Sequence, residues 1–573
     1  MNSTVKMVFG LIGGLAMFLY GMNSMSDALQ KTAGGKMKKV LSFLTRNPIM
    51  GALAGALVTA VLQSSSATTV MVIGFVSAGL MNLPQAISVI FGANIGTTMT
   101  AQLMAFKISN YIYPIIFIGF LMNFACKKEK WKNIGMVIFS FGLLFEGIEI
   151  MGSVMKPLAT SPIFVELMGK VKDIPVLGVG LGLIMTLVVQ SSSATIAVLQ
   201  SFASQAGPDG VSSVIGLAGA IPILLGDNIG TTITALLASI GQSKNAKRTA
   251  VAHSVFNITG SILFLFLIPL LTRFVTWISP KGNEVDVISR QIANAHTTFN
   301  VVCTLIWLPL IPVMVKIVTF LVRGNDKTKS AAYAARYLDE HVIAQPAAAM
   351  YLLSREMRRL GAYAMQMLSA VGKTAGGKNA EDSLKIYEET HTAVKSLENE
   401  MEGYVTKMFA SGNLTEVQAE QTAGLLFAAN NIERLADRCE EIVQTQKKIQ
   451  EMGKSLSESA ERELRGGIEL TRKMFGQAMK ALAEGDKGLA EEVAENKDQL
   501  RIGQKKSQKA HLLRVEEKAC DPALTAYYSK MLYSLERAAD NCVSIAEEAA
   551  DGTALVNLDE NDVEEEELQA VRA

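Results

Sequence analysis

Gln63-Ser64-Ser65-Ser66-Ala67-Thr68 recurs unchanged as Gln190-Ser191-Ser192-Ser193-Ala194-Thr195, and Asn94-Ile95-Gly96-Thr97-Thr98 recurs as Asn228-Ile229-Gly230-Thr231-Thr232. The spacing differs only by an insertion around 204–210. One Ser-Ser-Ser run is ordinary small-residue packing between helices. Two identical copies, each followed by the same second motif, are an internal repeat. Segments upstream extend it, since Leu19-Tyr20-Gly21 with Met25 matches Phe145-Glu146-Gly147 with Met151, and downstream Asn123 aligns with Asn257.

The surroundings of each copy are unusual. Residues 47–106 contain no Asp, Glu, Lys, Arg or His, and residues 174–243 contain only Asp209 and Asp227. Both are rich in Gly, Ser, Thr, Asn and Gln. Such polar, breakable sequence at membrane depth predicts helices interrupted mid-bilayer, with their freed backbone groups facing a cavity or ligand.

The wider chain fits a membrane setting for its first half only. Of 573 residues 49% are hydrophobic, 19% are charged, and mean hydropathy is +0.27. Apolar runs near 8–28, 111–126, 133–151, 251–271 and 296–321 are span candidates. The run from Val8 to Tyr20 reads as a retained membrane helix, with no convincing cleavage site after it. Basic clusters at Lys31–Arg46, Lys127–Lys132, Lys244–Arg248 and Arg323–Lys329 all belong in the cytoplasm by the positive-inside rule. The N-terminus is then outside and the charged C-terminal half inside. The first motif copy is entered from inside and the second from outside, which is the inverted topology of a secondary transporter. Five cysteines without CxxC spacing predict no disulfide framework, and a net charge of +1 without a basic stripe excludes a nucleic-acid partner.

Hydroxyls and amides both donate and accept hydrogen bonds, and broken-helix N-termini add N–H groups and a positive dipole end suited to an oxyanion. Neither broken region holds Lys or Arg, so an anionic substrate there needs co-bound cations. Asp227, standing where the first copy has Ala93, is an ionisable group at membrane depth and a candidate for the cation site, with a structural partner role as the alternative. Glu146 and Glu149 sit near the outer end of a span and read as solvated. Ala252-His253-Ser254-Val255-Phe256-Asn257 and Ala295-His296-Thr297-Thr298-Phe299-Asn300 echo each other. Their His and Asn share a helix face, which reads as helix-to-helix hydrogen bonding rather than metal ligation.

These motifs resemble the type II sodium/phosphate cotransporter family over roughly residues 8–320. The resemblance implies an alternating-access carrier in which the duplicated motifs form hairpins holding phosphate and Na+. Carried over, Gln63, Ser64, Ser65, Ser66, Gln190, Ser191, Ser192 and Ser193 form the core site. Thr68, Thr195, Asn94, Thr97, Thr98, Asn228, Thr231 and Thr232 support it.

From about 331 to 551 the sequence reads as six helices, with breaks near Ala375-Gly376-Gly377, Ser411-Gly412-Asn413, Met452-Gly453, Gly485 and Asp521-Pro522. Glu433-Arg434-Leu435-Ala436-Asp437 with Cys439 and Ile442 recurs as Glu536-Arg537-Ala538-Ala539-Asp540 with Cys542 and Ile545. Carboxylates at i and i+4 share a face and are either a hard-metal site or a solvated acidic face. This pattern resembles the PhoU family, in which such motifs line metal clusters; that implies a divalent or trivalent ion at Glu433, Asp437, Glu536 and Asp540. The expected architecture is all-α: a membrane domain over 1–325 (repeats about 8–126 and 133–271, final span 296–321), a PhoU-like domain over 331–551, and an acidic tail over 552–573. The expected activity is Na+-coupled phosphate transport in a bacterial-type cytoplasmic membrane. Phosphate export, or phosphate sensing through the helical half, is the alternative. A homodimer or a phosphate-signalling protein remain open as partners. No P-loop, nucleophile–base pair or HExxH supports an enzyme.

Overall fold

In the computed structural model every described element is a helix, apart from an isolated bridge between Ala206 and Ser213. The structure describes residues 3–42, 47–106, 108–159, 170–171, 173–207, 209–324, 334–374 and 380–556. The expected break at 375–377, the 327–329 end of the last basic cluster and the acidic tail past 556 lie outside them. The chain divides into two compact units, 1–326 and 327–573.

Unit one opens with α1 (Ser3–Ser42), α2 (Pro48–Leu62), α3 (Ser65–Ser77), α4 (Leu83–Met104), α5 (Ile112–Ala125) and α6 (Glu129–Ala159). It continues with α7 (Pro175–Val189), α8 (Ser192–Ala203), α9 (Gly216–Gly230), α10 (Thr232–Ala238), α11 (Lys244–Phe266), α12 (Ile268–Ile278), α13 (Glu284–Trp307) and α14 (Ile311–Leu321). The first helices of the two copies pack directly together. Gly10 faces Val154, Gly14 faces Gly147 and Met151, and Gly21 faces Ser140 and Leu144. Rising numbers on α1 meet falling numbers on α6, so the pair is antiparallel. The approach is close enough that a Cβ on Gly14 would lie 2.8 Å from the Gly147 carbonyl oxygen.

The 15-residue α2 and 13-residue α3 are each about 20 Å long, short of the ~30 Å hydrocarbon core. The 15-residue α7 and 12-residue α8 repeat that length. Each pair is a hairpin reversing at its Gln-Ser dipeptide. The hairpin's first arm lies backbone-to-backbone on the following long helix. A Cβ at Gly55 or Gly92 would overlap the Val89 or Ala52 carbonyl, and at Gly182 or Gly226 the Ile223 or Val179 carbonyl.

Among the described residues four helices are long and apolar enough to cross a membrane: Val5–Thr32, Glu129–Lys156, Gly216–Ala238 and Lys244–Phe266. The expected final span 296–321 is not one rod. It bends by 88° between α13 and α14, because Pro309 and Pro312 lack the N–H that would carry the helix through. The run 251–271 likewise ends at Phe266, with Pro269 opening α12. Phe91 of α4 stacks on Phe256 of α11 at 4.8 Å, and Phe299 of α13 meets Phe264 edge-on at 5.3 Å. These rings centre the apolar core behind the hairpins.

Unit two contains α15 (Pro346–Thr374), α16 (Ala380–Ala410), α17 (Glu416–Glu451), α18 (Glu458–Glu484), α19 (Lys487–Glu516) and α20 (Thr525–Ala550). Capping chemistry sets the boundaries. Thr415 and Gln418 form a capping box at the start of α17, and Gly485 ends α18 at φ 68°. The duplicated Cys439 and Cys542 are buried on α17 and α20, and Ser534 of α20 bonds Glu441 of α17 at 2.7 Å.

Candidate functional site

At the tips of the hairpins the two motif copies adopt the same strained turn. Gln63 has φ 52° and Gln190 φ 55°, two of three positive-φ non-glycine residues among those described. Left-handed backbone costs an L-residue about 1–2 kcal/mol, and such strain collects at functional sites. Ser64 and Ser191 then take extended backbone and cap the helices that follow, accepting from the amides of Ala67 at 3.1 Å and Ala194 at 3.3 Å. The next two amides of each helix, at Ser65 and Ser66 and at Ser192 and Ser193, have no protein acceptor among the described hydrogen bonds. Helix geometry leaves first-turn amides directed along the axis, out of the N-terminus. Four such N–H groups and the adjacent hydroxyls form an anion-binding chemistry without any fixed positive charge.

The supporting residues line the same frame. Thr68 and Thr195 each reach back to the cap carbonyl, Ser64 O and Ser191 O, at 3.2 Å. They also bond Thr59 at 2.8 Å and Thr186 at 3.1 Å. Asn94 and Asn228 are buried and donate to Ile90 O and Leu224 O within their own helices. Thr97, Thr98, Thr231 and Thr232 are buried too, and all four hydroxyls bond backbone carbonyls of their own helices. They shape the long helices rather than presenting free hydroxyls.

Asp227 is wholly buried; its Oδ1 lies 2.6 Å from Thr186 Oγ1, and its Oδ2 has no partner. It makes no ion pair among the described residues. A carboxylate with an open oxygen, linked through the Thr186 hydroxyl to that of Thr195, offers donor atoms to a small hard cation.

The His/Asn echoes acquire a role. Asn94 Oδ1 lies 3.2 Å from His253 Nε2 and accepts from Asn257 Nδ2 at 3.3 Å, while Asn228 Oδ1 lies 3.4 Å from His296 Nε2. So α11 serves the first copy and α13 the second. Among the described residues Asn300 donates only to His296 O of its own helix, and Asn123, aligned with Asn257 in the repeat, donates to Lys132 O, joining α5 to the start of α6. Sequence reading missed Thr59, Thr186, Thr100 and Thr234, although each pair stands at the offset of its neighbouring motif. It also missed Arg290, whose Nη1 lies 2.6 Å from Gln102 Oε1. Gln102 is two helical turns past Asn94, about 12 Å along the axis.

The copies differ in one respect. Gln63 is buried and accepts from Thr100 at 2.8 Å, whereas Gln190 is exposed and its side chain has no partner among the described residues. Ser66 of the first hairpin lies 2.9 Å from Thr234 of the second copy, and Gln200 of α8 donates to Ala101 O of α4. Each hairpin therefore contacts the helix carrying the other copy's second motif, or its continuation.

In unit two each acidic pair faces a lysine at matching register. Lys395 Nζ lies 2.9 Å from Asp437 Oδ1 and 3.9 Å from Glu433 Oε1, and Lys497 Nζ lies 2.6 Å from Asp540 Oδ1. Arg537 adds a bond to Asp540 at 3.1 Å. Bonding to Asp437 holds the Lys395 ammonium above its ordinary value, and burial, then the Asp437 charge, pushes Glu433 up. These tethered cations stand where a metal would supply charge, so Glu433, Asp437 and Asp540 as placed do not fit a metal ion, while Glu536 makes no ion pair among the described residues. His391, Asp437 and Glu440 do bring one ligand atom each to within 4.8 Å of one another.

Comparison with known proteins follows this division. The Na+/Pi-cotransporter family model matches residues 17–153 and 154–295, and the PhoU domain model matches 345–445 and 465–549. An uncharacterized protein, YqeW of Bacillus subtilis, is 35% identical over 263 residues, covering 46% of this chain and 83% of that protein. YjbB of Salmonella typhimurium, provisionally named an inorganic phosphate export protein, is 24% identical over 512 residues, 88% of this chain and 90% of its own. Sodium-dependent phosphate transport protein 2A of Rattus norvegicus is 37% identical over 98 residues, 17% of this chain and 15% of its own. No solved structure matches.

Proposed function

Because the chain belongs to the Na+/Pi-cotransporter family and carries a PhoU domain in cis, we propose that it moves inorganic phosphate across a membrane by alternating access, with Na+ as the coupling ion. The carrying observation is the pair of helix N-termini at Ser65-Ser66 and Ser192-Ser193, whose four amides have no protein acceptor among the described hydrogen bonds. Phosphate oxygens accept from these amides and from the hydroxyls of Ser64–Ser66 and Ser191–Ser193. The strained Gln63 and Gln190 turn each chain so that its next helix begins at the site. Neither broken region supplies Lys or Arg, so the phosphate charge is balanced by Na+, one ion lying at Asp227 with Thr186 and Thr195. His253 with Asn257 braces Asn94, and His296 braces Asn228, from behind.

The N-terminus lies outside and unit two in the cytoplasm, where the PhoU domain adjusts transport. A second reading, export, is favoured by the near full-length similarity to a protein named for phosphate export. Radiolabelled phosphate flux in proteoliposomes, with Na+ imposed on either side in turn, separates the two. Flux that follows the Na+ gradient supports symport. Equal flux in Na+ and K+ would overturn the coupling, and absence of flux in every gradient would overturn transport itself.

A further inference from the structure

The broken symmetry between the hairpins identifies a switch. Residue 63 corresponds to 190 by the offset of the first motif, and Thr100 to Thr234 by the offset of the second. In the described state Thr100 bonds Gln63 within the first copy, while Thr234 lies against Ser66 across the copies. The corresponding pairs, Gln190 with Thr234 and Ser193 with Thr100, are not made. Gln190 is exposed, and the Gln190 and Ser193 side chains have no protein partner among the described hydrogen bonds.

An inverted repeat can exchange the conformations of its halves, because each half already folds in both shapes somewhere in the same chain. From this we infer that Thr100 and Thr234 are exchange partners that position the two hairpins alternately. In the described state they hold the first hairpin, through Gln63 and Ser66. In the exchanged state Thr234 takes Gln190, Thr100 takes Ser193, and Gln63 and Ser66 are released. The hydrogen-bond count is the same on both sides, one Gln–Thr and one Ser–Thr bond in each state. One contact breaks the balance. Ser26 Oγ donates to Leu62 O at 2.7 Å, clasping the first hairpin to α1, and the corresponding residue is Gly152, which has no hydroxyl.

This inference rests on the alternating-access reading, yet its test does not depend on flux. Ser66 and Thr234 hydroxyls 2.9 Å apart occupy the positions of two cysteine sulfurs, which bond at about 2 Å. Ser66→Cys with Thr234→Cys should crosslink in the purified full-length protein, read as a disulfide-linked peptide by mass spectrometry. The decisive pair is Ser193→Cys with Thr100→Cys. It should also crosslink, more slowly, because it forms only in the exchanged state. Adding Ser66→Ala to that second pair removes one bond of the described state only, and should speed its crosslinking about two- to tenfold. Failure of the Ser193/Thr100 pair to crosslink while the Ser66/Thr234 pair does would overturn the exchange, and so would a rate unchanged by Ser66→Ala. Crosslinking of both pairs, with a wild-type protein that carries no phosphate in any gradient, would leave the exchange standing and remove the transport reading instead.

Discussion

Replacing Asp227 by Asn tests the cation site, because it keeps the shape and the acceptor for Thr186 while deleting the charge. In the structure the carboxylate is fully buried, bonded once at 2.6 Å, and has one oxygen without a partner. Held as a carboxylate there without a cation, it destabilises the fold. With Na+ at about 4 Å and an effective dielectric of about 20, the attraction is about 4 kcal/mol, an upper bound of roughly a thousandfold in affinity. Dehydrating the ion takes back part of this, leaving a rise of roughly tenfold or more in half-saturating Na+ for Asp227→Asn. Linkage supplies a second readout. Wild-type protein at Na+ near 100 times its dissociation constant gains about 2.7 kcal/mol against unfolding. Melting temperature should therefore climb with Na+ for wild type and stay nearly flat for Asp227→Asn, which should also be the more stable of the two in Na+-free buffer. Phosphate affinity at saturating Na+ should change far less. Superimposable Na+ curves, in both flux and melting, would refute the cation site and leave Asp227 as a partner of Thr186 alone.

Other expectations follow from the same geometry. Ser65→Ala or Ser192→Ala should weaken phosphate binding about tenfold, the effect of losing a hydrogen bond to a charged ligand; equilibrium binding in Na+ checks it, and unchanged affinity would place those hydroxyls outside the site. Gln190→Gly should raise stability by about 0.5–1 kcal/mol by relieving left-handed strain, whereas Gln63→Gly should be neutral because it also loses the Thr100 bond; denaturant titration compares them. Elemental analysis of the full chain should find no stoichiometric metal at Glu433, Asp437, Glu536 and Asp540, and Lys395→Ala with Lys497→Ala should open those carboxylates to Mg2+ or Mn2+. A tightly bound ion in wild type would restore the metal reading. Burial alone would raise Glu463, but the Arg514 fork at 2.8 and 2.9 Å and the Tyr528 hydroxyl at 2.6 Å overcome it and hold it below the usual carboxylate range. Its contribution is thus full at neutral pH, above the ordinary carboxylate value, and is lost as pH falls through the lowered one. Hydrogen exchange in α18–α20 should accelerate there, and should do so at neutral pH in Glu463→Gln.

Much of the molecule was legible in its residues. Local chemistry sets the helix ends, and a duplicated hexapeptide carries its meaning at any distance along the chain. Hence the all-α class, the polar hairpins and the six C-terminal helices follow from sequence alone. Spans were less legible, since hydropathy sums residues without asking where a proline lacks its N–H; the run 296–321 bends at Pro309–Pro312 for that reason. Partner choice was not legible at all. Thr100 and Thr234 sit at equivalent positions, yet one bonds within its own copy and the other across copies. His253 and His296 look like a local echo, yet they meet Asn94 and Asn228, in opposite halves. Lys395 and Lys497 lie some forty residues before the carboxylates they neutralise, and no local spacing links them. A hydrogen bond or ion pair has a reach of about 3–4 Å, so which groups meet is decided by how helices pack, and only the tertiary structure contains that.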